Sequence, residues 1–207
     1  MCGLNKRVVF GLGMGLVLSM VFLTGAGIGM PSLMNHAAST ITLVEWMDLR
    51  IFTPVILWPA PEGTSLWFPP RCIDGPACDY IELFYTGDFV GTGVEPPMYM
   101  LYESDSELPI GKSFLTSYAA TNAAVTLERI DLVLDGKAVL AEIRENAAIP
   151  DSGVALFELD DAFVVYHWRH VPRTAALDVL EHRILQVRQD DLDVISAFDR
   201  ALINRFQ

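Results

Sequence analysis

The residues best suited to chemistry lie in "YHWRHVPR", Tyr166 to Arg173, which holds His167, Arg169, His170 and Arg173. On a helix, His-x-x-His would set both imidazoles on one face as a metal half-site. The preceding "AFVVYHW" is a strand pattern, in which alternate side chains point to opposite faces. His167 then lies with Val165 and Arg169, and His170 with Tyr166 and Trp168, so the two rings cannot share an ion. No metal and no cofactor is expected. The four side chains instead predict a local positive spot for a carboxylate or phosphate, or a set of ion pairs with Glu158, Asp160, Asp161 or the acidic tail. His182, four residues after Asp178, fits an ordinary helix-surface pair.

Other candidate motifs are incomplete. "IGKS", Ile110 to Ser113, shares its last residues with a phosphate-binding loop, but position 106 is Ser106 where that loop needs glycine. Gly-x-Ser-x-Gly is missing from the chain. "ESDSE" and "RQDDLD" lack the glycine and spacing of a calcium loop.

Cys72 and Cys78 sit in "RCIDGPACDY" with five residues between them, too far apart for a usual zinc half-site or a Cys-x-x-Cys redox pair. Asp74-Gly75-Pro76 is suited to reversing the chain, so the pair is expected as a disulfide across a turn. Such a bond implies an oxidising compartment.

The elements that must position these residues follow from periodicity. Thr42-x-x-Glu45 has capping-box spacing, opening a short helix that Pro54 stops. "PVILWPAPEGTSLWFPP" is broken by prolines and reads as irregular chain or an edge strand. Its tryptophans, with Trp46, are expected to pack the core, the alternative being the membrane surface. "YIELFYTG", "PMYMLYES" and "VALFELDDAFVVYHWRHV" read as strands, and Asp135-Gly136 as a hairpin turn. A helix running to Gly136 is the alternative for the alanine-rich "SYAATNAAVTLERI". Two amphipathic helices follow, one with apolar positions Leu177, Leu180, Ile184 and Val187. The other has Leu192, Ile195, Phe198, Leu202 and Phe206, with Asp190 or Asp191 as its cap. The expected fold is α+β, a mainly antiparallel sheet with two C-terminal helices.

The chain's first thirty residues differ from the rest. Val8 to Met30 is a run of 23 residues without a charge, preceded by Lys6 and Arg7. As a helix it spans about 35 Å, enough for a bilayer core of roughly 30 Å. With the basic end retained inside, the N-terminus is cytoplasmic and the C-terminal domain extracytoplasmic (periplasmic). Cleavage as a signal peptide near Thr24-Gly25-Ala26, releasing a secreted protein, is the alternative. Gly11, Gly15 and Ser19 share a helical face that permits homodimer packing. The expected organisation is an anchor or signal peptide over 1–30, a Trp/Pro-rich juxtamembrane segment over 31–70, and an extracytoplasmic domain over 71–207.

The chain has 14 basic and 26 acidic residues. Without Lys6 and Arg7 the balance is 12 against 26, or −14. That sign repels phosphate backbones, so nucleic acid is excluded as a partner. The reading closest to these features is a membrane-anchored interaction or accessory module that binds another cell-envelope protein. An extracytoplasmic hydrolase needs His167 or His170 to meet a serine or carboxylate. A small-ligand-binding protein needs a pocket lined by the aromatics of residues 80–102.

Overall fold

A computed structural model describes residues 38–40, 42–49, 52–73, 80–88, 95–122, 126–145 and 148–206. The apolar run with Gly11, Gly15 and Ser19 lies outside the described residues, and so does Cys78. Among the described residues no helix is long and apolar enough to cross a membrane. Ala37 to Gln207 form one compact unit.

In chain order the elements are β1 (Ala38–Thr40), α1 (Leu43–Leu49), β2 (Val55–Leu57), β3 (Ser65–Ile73), β4 (Tyr80–Thr86) and β5 (Met98–Asp105). There follow α2 (Pro109–Asn122), β6 (Thr126–Leu134), β7 (Lys137–Glu145), β8 (Gly153–Leu159) and β9 (Ala162–Arg169). The chain closes with α3 (Arg173–Arg183), β10 (Ile184–Gln186) and α4 (Leu192–Phe206). Eight strands form a sheet in the order β1-β3-β4-β5-β9-β8-β7-β6, and β10 pairs with β2. Every pairing is antiparallel. The architecture is therefore a mainly antiparallel sheet with a few helices.

Local chemistry explains the turns. Asp135 (φ 47°) and Gly136 (φ 74°) both adopt the left-handed conformation that a two-residue hairpin demands, and join β6 to β7. Asp160, at φ 51°, turns β8 into β9. At α1 the capping box closes as its spacing requires. Thr42 N–H donates to Glu45 Oε2 at 2.7 Å, and Glu45 N–H donates to Thr42 Oγ1 at 3.1 Å.

The sheet has two faces. One carries Leu83, Tyr85, Leu101, Val164, Tyr166, Trp168 and Phe157, and packs on α1, β2, β10, α3 and α4 as the main hydrophobic core. Tyr85 Oη accepts the Leu57 N–H (3.2 Å) and Tyr166 Oη donates to the Ala176 carbonyl (3.0 Å), tying β2 and α3 to the sheet. The opposite face receives α2, which packs over β5, β8 and β9. The central strands β4, β5 and β9 are consequently buried on both faces.

Residues 38–70, expected as a separate juxtamembrane segment, contribute to this same compact unit. Trp46 is fully buried, Trp58 packs against the core, and Trp67 is 37% exposed. β3 runs through Pro69 and Pro70, with shifts in its register against β4 between Leu66 and Arg71. Prolines cannot donate to a ladder, which accounts for a bulged strand at this point.

Several expectations need correction. The alanine-rich helix ends at Asn122, and α2 starts at Pro109, taking "IGKS" into its first turns. The first tail helix stops at Arg183, because Ile184 pairs with Leu57 and Trp58 N–H bonds the Arg183 carbonyl at 2.7 Å. Ile184 and Val187 are buried as the stripe implied, but from extended chain. Leu192, placed in the second stripe, is 66% exposed at the head of α4. Asp191 gives its carbonyl to Ile195 N–H, while its carboxylate accepts from Arg188 N–H (2.8 Å) instead of capping the helix.

Candidate functional site

The four side chains of "HWRHVPR" do not converge. His167 and Arg169 leave β9 on the α2 face, in line with their parity. His170 follows the end of the strand at φ 58°, and its Nε2 forms an ion pair with Glu95. Arg173 opens α3 and bridges β6 and β7 through Glu128 and Glu145, the latter at 3.1 Å. The ion-pair partners are thus Glu95, Glu128 and Glu145. Glu158 pairs with Lys112 and Asp160 with Lys137 instead. In place of the neighbouring Glu158, Asp160 and Asp161 or the acidic tail, the fold brings Glu128 and Glu145 from β6 and β7 and Glu95 from the chain before β5.

His167 belongs to a buried polar chain under α2. The spacing Gly111, Leu115, Tyr118, Ala119 turns one helix face to the sheet. Tyr118 Oη lies 2.8 Å from His167 Nδ1 and 3.0 Å from Tyr102 Oη. Tyr102 Oη in turn donates to Met100 Sδ at 3.5 Å, and Arg71, opposite Glu82 on β3, adds a favourable charge to the Glu82 carboxylate nearby. With Tyr118 spending its one hydroxyl proton on Tyr102, His167 donates its Nδ1–H to Tyr118. Burial pushes the imidazole down to about 3, with Arg169 adding to the effect, so the ring is neutral. Burial also raises the Glu82 carboxyl and the Tyr102 and Tyr118 hydroxyls. Glu82 (1% exposed), Tyr102 (1%), His167 (3%) and Tyr118 (8%) are closed to solvent. Nothing local marks Tyr118 in the sequence, because its partners come from β5 and β9. This chain fastens α2 to the sheet and offers a substrate no entry.

The sheet is uncovered at its outer edge. Along β7 the odd residues Val139, Ala141 and Ile143 are buried, while Ala138 and Leu140 on the α2 side face solvent. β6 behaves alike, with Leu132 and Leu134 inside and Arg129, Asp131 and Val133 outside. Val133 is 62% and Leu140 59% exposed. Between this surface and α2 runs a groove of about 660 Å³, bordered by Thr116, Arg129, Leu140, Arg144, Leu156 and Phe163. Its charges are compensated in place. Arg144 Nε donates to Glu142 at 2.8 Å, Arg129 stands 3.7 Å from Glu142, and Lys112 pairs with Glu158 at the rim. What the groove leaves unpaired is its apolar lining, Leu140, Leu156 and Phe163.

A smaller hollow of about 370 Å³ lies between Met47, Phe52, Asp161, Val187, Arg188 and Gln189. Asp161 Oδ2 there accepts from Thr53 N–H at 3.0 Å and Oγ1 at 3.1 Å. Neither hollow is lined by His167, Arg169, His170 or Arg173, or by the aromatics of residues 80–102. Of those aromatics among the described residues, Tyr80 stacks on Phe114 at 4.9 Å and Tyr99 on Tyr166 at 6.2 Å. No family profile, curated protein or solved structure matches the chain.

Proposed function

We propose that the chain is an accessory module held outside the cytoplasmic membrane by its first thirty residues, docking a segment of another envelope protein into the groove beside α2. The observation that carries the docking is the half-covered sheet. Val133, Ala138 and Leu140 form an apolar strip that no described element covers, next to a groove whose ionic groups are already paired. The partner segment that fits presents apolar side chains to this strip. The balance of −14 outside the leader favours a partner of net positive surface. The same reading assigns a disulfide to Cys72, at the end of β3, and Cys78, in the connection to β4.

A hydrolase finds less support. His167 meets a tyrosine inside the sheet, and His170 meets the 58%-exposed carboxylate of Glu95. The test is a photo-crosslinking side chain at position 140 in intact cells, with position 181 on α3 as control. Docking yields one defined adduct from 140 and none from 181. No adduct from 140, or the same smear from both, contradicts it.

A further inference from the structure

We propose that β6 is also a self-association edge, pairing with β6 of a second copy to join two sheets across a twofold axis. β6 ends the sheet order, so one side of its nine-residue ladder, Thr126 to Leu134, has no partner strand among the described residues. A long unpaired edge is a template for another strand unless charges or bulges block it. β6 pairs with β7 in unbroken register over its whole length, so no bulge distorts it. Charge at its centre is what decides.

Two copies related by a twofold axis pair antiparallel, and opposite residues must share a face. The position numbers of opposed residues therefore sum to an even constant. Centring on Arg129 opposes two arginines, and centring on Asp131 opposes two aspartates. Centring on Ile130 opposes Arg129 of each copy to Asp131 of the other, twice by symmetry, and Glu128 to Leu132. Ile130 is also the midpoint of the strand, so this register alone pairs all nine residues. Charge complementarity and greatest overlap select the same alignment. Opposite charges placed directly across a ladder stabilise it, and like charges oppose it. Arg129, with a side chain 66% exposed, has only the 3.7 Å contact to Glu142 to give up.

This edge adjoins the groove of the proposed function, which Arg129 also borders, and is distinct from the glycine face of the leader. The experiment is sedimentation of the full chain in detergent for wild type, Arg129→Asp, Asp131→Arg and the double exchange, with circular dichroism confirming each fold. The wild type is expected as a dimer. Each single reversal should weaken it about tenfold or more, since two pairs turn repulsive together, and the double exchange should restore it. A monomeric wild type overturns the proposal. So does a dimer indifferent to both single reversals, as association through Gly11, Gly15 and Ser19 would give. A double exchange that fails to recover dimerisation overturns it too.

Discussion

The same sheet is finished at β5 and β9 and unfinished at β6 and β7. In the centre both faces are buried, one by the apolar core and the other by α2, and Tyr102, Tyr118 and His167 bond one another between sheet and helix. At the outer strands one face is buried and the other carries Val133, Leu140 and Arg129 to solvent. Buried polar groups are satisfied and costly to disturb. Exposed apolar groups on a flat sheet cost the fold little and gain by meeting something. His167, which looked chemical in the sequence, is buried against Tyr118, and the plain outer strands carry exposed apolar surface.

Acid should strain the centre most. His167 is neutral in the fold, held from an ordinary 6.5 down to about 3 by burial, and the unfolded chain takes up a proton below about 6.5. Its contribution to stability is therefore whole above pH 6.5 and lost as pH falls toward 3, with a slope of up to about 1.4 kcal/mol per pH unit. Urea titrations across that window should show the ramp in wild type and a flatter one in His167→Gln.

Gly153→Ala attacks the junction of the two regions. A Cβ there would stand 2.3 Å from Trp168 Cζ2 and 2.7 Å from the Arg144 carbonyl, and Trp168 is its buried cross-strand partner. Overpacking of this kind costs about 3 kcal/mol, read as a lower denaturation midpoint. Tyr118→Phe leaves Tyr102 and His167 without the hydroxyl between them, a loss of about 2 kcal/mol in the same assay. Leu140→Ser, in contrast, should stay within about 0.5 kcal/mol of wild type while abolishing the adduct made by a crosslinker at neighbouring position 138. A large destabilisation by Leu140→Ser would erase the distinction between centre and edge.

Much of the fold was legible because local rules and tertiary structure agree. The Asp135-Gly136 turn, the Thr42–Glu45 box and the strands around Asp160 are specified within a few residues. Where a long-range pairing competes with local periodicity it wins, as when β2 draws Ile184 out of the helix. The site was less legible. His167 stands out by residue type, yet its surroundings depend on Tyr118, 49 positions away, and through it on Tyr102 of β5. Asp135-Gly136 in "ERIDLVLDGKAVLAEIRE" marked β6 and β7 as a hairpin. That α2 would cover only their neighbours has no signature in the sequence.

The most direct test labels cysteines placed at Leu140 and Glu181 with a membrane-impermeant thiol reagent, in intact cells and in the purified full chain. Position 181 should react in both, and position 140 should react when purified but be protected in cells. Equal labelling of both positions in cells, or labelling of 181 only after the membrane is opened, would contradict an occupied face outside the cytoplasm.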